Sequence, residues 1–375
     1  MKIMYVIDAG PVNGGAPIST SILANQFAGD DNEVIMVMPK NKDTEILDKR
    51  IKRIELARFS DYFPLDVFHP IKALLLAKDL KAVIEKEKPD VIHANMPRGA
   101  RAIGLLKLLG MISDKIKLVY TDREHISQFS PLVRMLYIFF IARRYDAIIC
   151  ITEKSMEYWR KKVRKAKISV VPNTAGKYYE TYEPDMHSIV RKKLMIPDKK
   201  LTLMFAGRMI EAKNWPLAKE IVSKLSKEDV HIIIAISYFN QEQECKTKDF
   251  LESIRRLGVS YTFKENIPQE EMNELYYAAD IFVLTSNRES FGRTAIEAMS
   301  RKCAVLGRNV GGLPEVIQKE ANIFDCDADK FVNRILEYKK NTEELEKDKD
   351  WFYERFANNY TAEIYKRKHE DVYRF

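Results

Sequence analysis

Two glutamates, Glu289 and Glu297, stand eight positions apart where a predicted strand gives way to a predicted helix. Residues 280–285 form a short β-rich apolar run, which is typical of a buried parallel strand, and residues 293–301 have helix-forming composition. Glu289 is therefore expected in the connecting loop and Glu297 about one turn into the helix. Carboxylates placed in this way can each accept hydrogen bonds from the hydroxyl groups of a bound ligand.

The backbone between the two glutamates is expected to favour the binding of an anion. The N–H groups near Phe291, Gly292 and Arg293 are expected at a helix N-terminus, which carries roughly half a positive elementary charge. A diphosphate bound there would have one carboxylate on each side. The alternative interpretation is a surface helix with two unrelated acids.

This segment resembles the E-x7-E signature of retaining glycosyltransferases of the GT-B fold, in particular glycosyltransferase family 4. The resemblance implies that Glu289 contacts hydroxyls of the transferred sugar, as a catalytic residue, and that Glu297 binds the ribose of the nucleotide. The other donor-binding residues that it implies here are Ser290, Phe291 and Gly292.

A cationic element follows the predicted strand 201–206. The run 207–214 resembles the family's G-R…K element, which implies that Arg208 and Lys213 neutralise the donor diphosphate and act in catalysis. Preorganised cations stabilise the negative charge that accumulates on a leaving nucleoside diphosphate. Asn214 stands where the family often has glycine, which changes the turn and leaves the cation in place.

A glycine loop opens the chain directly after the first predicted strand. Its glycines fall at positions 10, 14 and 15, which is not the G-x-G-x-x-G spacing and argues against NAD or FAD. The loop resembles the Gly-Gly loop of family 4, which implies Gly14 and Gly15 as donor-binding residues. A flexible turn needed only for close backbone passage is the alternative.

Two histidines stand at or just after the ends of predicted strands of the first half. His125 comes after the strand 117–121, where the family commonly places a histidine near the donor sugar, and the resemblance implies a catalytic role. His93 and Asn95 end another strand and are candidates for the acceptor side. For both histidines the alternative is a structural role with satisfied ring nitrogens.

The sequence indicates no metal or redox cofactor. It contains no H-x-H or H-E-x-x-H grouping and no D-x-D of the kind that holds a divalent cation in the other glycosyltransferase fold, so we predict metal-independent transfer. The resemblance implies a nucleoside-diphosphate sugar as donor, and we expect a UDP-sugar rather than a GDP-sugar. Lys264 and Glu265 lie where the family usually has a glycine, which leaves the base open. The scattered cysteines are expected to be reduced thiols, and they are Cys150, Cys245, Cys303 and Cys326.

Positive charge is concentrated in the first half. Residues 1–172 hold 29 Lys or Arg and 20 Asp or Glu, a net charge of +9, which leaves −1 for the rest. Cations flank the apolar run 135–142, which is far too short to span a bilayer. With no signal peptide in view, we expect a cytoplasmic protein and keep peripheral attachment to an anionic membrane as a hypothesis. A buried helix with solvated flanking charges is the alternative.

Strand candidates alternate with helical stretches along both halves. This alternation predicts α/β architecture with parallel sheets, and the resemblance implies a GT-B fold with two Rossmann-like domains facing across an interdomain cleft. Turn formers at 171–176 mark a boundary. We predict an acceptor-binding domain over 1–172, a nucleotide-sugar-binding domain over 173–355 and a C-terminal helix over 356–375 that returns to the first domain.

The resemblance implies a retaining glycosyltransferase that moves a sugar to a glycan or lipid-linked acceptor, in bacterial capsule, exopolysaccharide or cell-surface glycan synthesis. A sugar-nucleotide 2-epimerase would use the same fold. A basic nucleic-acid-binding protein is suggested only by the isoelectric point near 9.0. No binding motif supports it, so we expect no nucleic-acid partner.

Overall fold

The predicted alternation of strands and helices produces two fully parallel sheets. The computed structural model describes residues 1–10, 15–29, 31–40, 46–59, 70–123, 130–197 and 199–374. The chain divides into unit one, Met1–Thr174 with Ala362–Phe375, and unit two, Ala175–Thr361. Each unit is a Rossmann-like α/β domain, which confirms the predicted fold class.

Unit one contains a seven-stranded sheet in the order β3-β2-β1-β4-β5-β6-β7. Its strands are β1 (Lys2–Val6), β2 (Glu33–Met38), β3 (Lys52–Glu55), β4 (Val91–Ala94), β5 (Lys117–Asp122), β6 (Ala147–Cys150) and β7 (Lys167–Val170). Its first five helices are α1 (Gly15–Phe27), α2 (Pro70–Glu87), α3 (Pro97–Leu108), α4 (Pro131–Tyr137) and α5 (Glu153–Arg160). A π-helical segment, Ile138–Ala142, continues α4.

Both faces of this sheet are covered, because successive side chains of a strand point to opposite faces. Met4 and Val6 of β1 join a core that also contains residues of α2, α3, α4 and α5. Ile3 and Tyr5 join a second core with residues of α1 and of the last helix, α14 (Ala362–Tyr373). Helix α14 therefore packs on unit one, although it is the last helix of the chain.

Hydrogen bonds fix α14 to the sheet. Tyr373 Oη lies 2.6 Å from His93 Nδ1 of β4, and His93 Nε2 lies 2.6 Å from Thr121 Oγ1 of β5. His93 is fully buried, and burial lowers its pKa well below the usual value. Both ring nitrogens thus hold neighbouring elements together.

A second buried histidine, His369 of α14, makes the stability of unit one depend on pH. Its Nδ1–H donates to the Tyr365 carbonyl at 2.8 Å, and its Nε2 is buried with no partner among the described residues. Burial lowers the pKa of His369 to about 3, so the folded protein stays unprotonated there at pH 5. In the unfolded chain the imidazole takes up a proton below its ordinary pKa of about 6.5.

We therefore expect the free energy of unfolding of the wild type to fall by about 2 kcal/mol more than that of His369→Phe between pH 7 and pH 5. Phenylalanine is the comparison because it fills the site and cannot titrate. Native-state hydrogen exchange of β1 peptides at both pH values, corrected for intrinsic exchange rates, reports on unit one separately. An equal loss in both proteins would contradict the assignment.

Unit two contains a six-stranded parallel sheet in the order β10-β9-β8-β11-β12-β13. Its strands are β8 (Leu201–Arg208), β9 (Val230–Ser237), β10 (Ser260–Glu265), β11 (Ile281–Leu284), β12 (Ala304–Arg308) and β13 (Ile323–Phe324). Its helices are α6 (Met186–Lys193), α7 (Trp215–Lys224), α8 (Gln241–Arg255), α9 (Gln269–Ala278), α10 (Arg293–Met299), α11 (Leu313–Ile317), α12 (Ala328–Lys340) and α13 (Thr342–Asn359).

The order of strands reverses between β8 and β11, and open parallel sheets bind ligands at the carboxyl ends of the strands beside such a reversal. This edge of unit two receives the end of β8 and the loop after β11. In the described parts of the chain, no helix combines the length and apolar character needed to cross a bilayer.

Candidate functional site

The candidate site lies at this edge of unit two, where Lys213 and Glu289 form an ion pair. Lys213 Nζ is 2.7 Å from Glu289 Oε2, and the two side chains are 18% and 17% exposed. Ser286 Oγ is a weaker neighbour of the same oxygen, at 3.4 Å. The carboxylate is therefore oriented by a cation while part of it still faces solvent.

Local structure brings Lys213 to this position. It ends the 3₁₀ turn Glu211–Lys213 after β8, and Asn214 then adopts a left-handed conformation with φ of 49°. The Lys213 carbonyl accepts a hydrogen bond from Thr285 Oγ1 at 2.9 Å. A Cβ at Gly207 would lie 3.1 Å from Lys213 Cγ, so glycine leaves room for the lysine stem.

The loop that carries Glu289 is braced on two sides. Asn287 N–H donates to the Ala212 carbonyl at 2.8 Å, and Gly312 N–H donates to the Glu289 carbonyl at 3.1 Å. Gly311 has a φ of 57°, and a Cβ there would overlap the Glu289 carbonyl oxygen. The loop 309–312 after β12 thus fixes the backbone from which the Glu289 side chain extends.

The residues between the two glutamates form a tight turn into α10. Gly292 has a φ of 98°, and a Cβ there would lie 2.5 Å from Leu313 Cδ2. Phe291 is buried with its ring edge against Tyr360, at 5.9 Å between centroids, while Ser290 is half-buried. Phe291 therefore anchors the turn in the core of unit two.

Glu297 is a buried carboxylate with its own partners. Arg293 Nε donates to Glu297 Oε1 at 2.9 Å, and Tyr276 Oη donates to Oε2 at 3.1 Å. Burial raises the pKa of Glu297, and the neighbouring Arg293 opposes this shift. The residue is 3% exposed, so its ribose-binding role stays a prediction that requires access through this edge.

Arg208 supplies an exposed cation at the end of β8. Its carbonyl accepts a hydrogen bond from Trp215 Nε1 at 2.9 Å, which fixes the backbone of this residue. Its side chain is exposed, and its guanidinium forms no salt bridge within the described residues. The guanidinium is thus free to bind a phosphate oxygen.

The site residues predicted in unit one are arranged differently. His93 and Asn95 lie in the buried core of unit one, where Asn95 Oδ1 accepts a hydrogen bond from Arg123 Nη2 at 3.0 Å. These contacts favour structural roles for both residues, and their acceptor-side role stays a prediction. Gly15 begins α1. Gly14 and His125 lie outside the described residues.

Several residues that sequence reasoning did not select complete the site. They are Tyr276 and Arg293, which hold Glu297, Thr285, which holds the Lys213 backbone, and Arg308, which hydrogen-bonds to Asn287 Oδ1 in the Glu289 loop. Only Arg293 had a sequence signal, because it stands four residues before Glu297 on one helix. In the described part of the chain, His, Cys, Asp and Glu side chains form no group of three suited to a metal ion.

Comparison with known families shows to which family the chain belongs. Residues 187–353 match the sequence model of the Glycosyl transferases group 1, and residues 13–175 match that of Glycosyltransferase Family 4. The chain belongs to the family 4 glycosyltransferases. The two matches cover the strands of both sheets except β1, and the first contains Arg208, Lys213, Glu289 and Glu297.

Named relatives of this glycosyltransferase are distant. Sulfoquinovosyl transferase SQD2 of Arabidopsis thaliana is 24% identical over 69% of this chain and 50% of its own length. The chain therefore spans about half the length of that relative. N-acetyl-alpha-D-glucosaminyl L-malate synthase of Bacillus anthracis is 22% identical over 100% of this chain and 98% of its own.

Among solved structures, HepE of Anabaena in complex with UDP-glucose is similar, with a TM-score of 0.79 at 16% identity. The similarity covers 100% of both chains. At this identity it shows that the fold is shared.

Proposed function

We propose that this chain transfers a sugar from a nucleoside-diphosphate sugar, a UDP-sugar, to a glycan or lipid-linked acceptor, with retention of configuration and without a metal ion. The observation that carries the proposal is the Lys213–Glu289 ion pair at the edge of the sheet where β8 ends with the exposed Arg208. One edge of the sheet thus offers cations for a diphosphate and a carboxylate for sugar hydroxyls. Transferase names among the relatives, and the UDP-glucose complex of the Anabaena protein, support this choice.

In this proposal Arg208 and Lys213 stabilise the leaving group. Negative charge grows on the β-phosphate as the bond from the sugar C1 to the phosphate oxygen breaks, and fixed cations lower the energy of that state. The Lys213 ammonium has three N–H donors, so it can bind Glu289 and a phosphate oxygen together. These two cations are our reason for proposing metal-independent transfer.

Glu289 orients the sugar, and Glu297 binds the ribose. The Glu289 carboxylate accepts hydrogen bonds from sugar hydroxyls, while Arg293 and Tyr276 hold the Glu297 carboxylate in one orientation. The acceptor hydroxyl attacks C1 on the face that the diphosphate leaves, and its proton passes to a phosphate oxygen. The bond to the acceptor therefore forms on the same face, which retains the configuration.

The biological setting that we propose is synthesis of a bacterial capsule, exopolysaccharide or cell-surface glycan. The acceptor would be the growing glycan or its lipid-linked precursor. The Bacillus anthracis relative is named for the synthesis of a glucosaminyl malate, so a small-molecule acceptor is the second candidate.

The first test measures nucleotide recognition and its dependence on Lys213. UDP at about one hundred times its dissociation constant should stabilise the protein by roughly 2.7 kcal/mol, and the resulting rise in melting temperature should persist in EDTA. Lys213→Gln should lose most of this rise, whereas Lys227→Gln, an exposed lysine elsewhere in unit two, should keep it.

Transfer itself is tested with a panel of UDP-sugars and GDP-sugars, and the anomeric configuration of the product is assigned by NMR. Inversion, or transfer that EDTA abolishes, would contradict the corresponding part of the proposal. An isomerised donor with no acceptor-linked product would identify an epimerase instead.

A further inference from the structure

A groove on the surface of unit one combines apolar and cationic side chains. It lies between α4, the π-helical segment that follows and α5, and it encloses about 410 Å³. The lining side chains that matter here are Arg134, Met135, Phe139, Arg143, Tyr158 and Lys162. We refer to it as the α4 groove.

Helix α4 with its π-helical continuation has two apolar stripes. Val133, Tyr137 and Ile141 recur at helical spacing and are buried in the core of unit one. A second stripe, formed by Leu132, Met135 and Phe139, has the same kind of spacing but faces outward. These side chains are 48%, 58% and 39% exposed. A soluble helix needs only one apolar stripe, so the second one requires an explanation.

The backbone prevents the outer stripe from turning into the core. A Cβ at Gly104 of α3 would overlap the Phe140 carbonyl oxygen, so α3 and the π-helical segment are in direct backbone contact. The inner stripe is already packed, and the segment is locked against the helix beneath it. π-Helical insertions are rare and are found frequently at functional sites.

The charge of the groove selects the class of partner. Within the described residues, Arg134, Arg143 and Lys162 form no salt bridge. The surrounding sequence 130–167 contains ten Lys or Arg and three Asp or Glu, a net charge of +7. No acidic side chain is among the groove's described lining residues. The partner is therefore anionic and apolar at once, which is the chemistry of a phospholipid surface.

We propose that the α4 groove docks unit one on an anionic lipid bilayer. The outer stripe inserts at the boundary between headgroups and acyl chains, and the three cations bind lipid phosphates. This inference deepens the proposed function and rests on it in one respect: a lipid-linked acceptor gives the docking its purpose.

The test measures binding of the full chain to vesicles by co-sedimentation, without any sugar donor. Binding is expected to vesicles that contain phosphatidylglycerol, to weaken with salt, and to be absent with phosphatidylcholine alone. Met135→Glu should weaken binding about tenfold or more, because it places an anion in the inserted stripe. Met195→Glu, at an exposed methionine of unit two, makes the same charge change outside the groove and should alter binding less than about twofold.

A second pair of variants tests the cations and serves if Met135→Glu does not fold. Arg143→Gln with Lys162→Gln removes two groove charges, and each is expected to contribute about fivefold to binding. The matched control, Lys227→Gln with Lys340→Gln, removes two exposed charges of unit two. Equal weakening by groove and control variants would show that binding depends only on the net charge of the chain, and it would overturn the proposal. Absence of wild-type binding to anionic vesicles at low salt would also overturn it.

Failure of this inference is separable from failure of the proposed function. The vesicle assay contains no nucleotide, and the transfer assay with a detergent-solubilised acceptor contains no bilayer. Groove variants that lose vesicle binding should keep the melting shift with UDP, because the groove and the nucleotide edge belong to different units.

Discussion

Glu289→Gln is expected to lower kcat/KM for sugar transfer by roughly 10²- to 10³-fold, the range seen when one preorganised group that stabilises a transition state is removed. The amide keeps the shape of the side chain but loses the charge that pairs with Lys213 at 2.7 Å. It also becomes a weaker acceptor for sugar hydroxyls, because hydrogen bonds to ionised groups are about twice as strong as neutral ones. Activity is therefore lost through orientation of the sugar and of Lys213 together.

The fold should change little in this variant. The Lys213–Glu289 pair is partly exposed, so its loss is expected to cost no more than about 1 kcal/mol of unfolding free energy. Steady-state kinetics and a thermal melt measure the two effects. Glu320→Gln, an exposed acid of unit two, is the control and should leave both unchanged. Near-normal transfer by Glu289→Gln would remove this residue from the catalytic site.

The fold followed from the sequence wherever strands were apolar. The predicted strand 280–285 agrees with β11 to within one residue at each end, and the predicted strand 201–206 begins at the first residue of β8. Such strands are buried on both faces and carry continuous apolar runs. Two strands were not predicted, each for a different reason. β3 is an edge strand whose sequence, Lys-Arg-Ile-Glu, has no apolar run, and β13 has only two residues.

Candidate site residues could be selected from the sequence one by one, but their arrangement could not be predicted. Lys213 and Glu289 were selected from separate motifs, and nothing in the sequence shows that side chains 76 residues apart form an ion pair. The hydrogen bond between Tyr276 and Glu297 could not be predicted for the same reason, because it joins two helices that meet only through tertiary packing. His93 shows the converse. Its position at the end of a strand fits either a functional or a structural role, and only the hydrogen bonds to Thr121 and Tyr373 in the structure favour the structural one.

Gly311→Ala is expected to damage both stability and activity, because this glycine serves the site through its backbone. Its φ of 57° costs an L-residue about 1–2 kcal/mol, and the overlap of a new Cβ with the Glu289 carbonyl oxygen adds roughly 1–3 kcal/mol. The overlap is relieved only by moving the Glu289 backbone. A displacement of about 1 Å at a positioning group can lower the rate about 10²-fold.

Gly258→Ala separates conformational strain from the overlap. Gly258 has a similar φ of 69°, but a Cβ there would meet no atom within 4 Å. The free energy of unfolding of Gly258→Ala should therefore fall only by the cost of the left-handed conformation, about 1–2 kcal/mol, and the variant should keep full transfer activity. Unfolding free energies and kcat/KM below both melting temperatures measure the difference. Equal losses of stability in the two variants, or normal activity in Gly311→Ala, would show that the loop after β12 does not position Glu289, and the orientation of that carboxylate would then depend on Lys213, Ser286 and the Asn287 backbone contact.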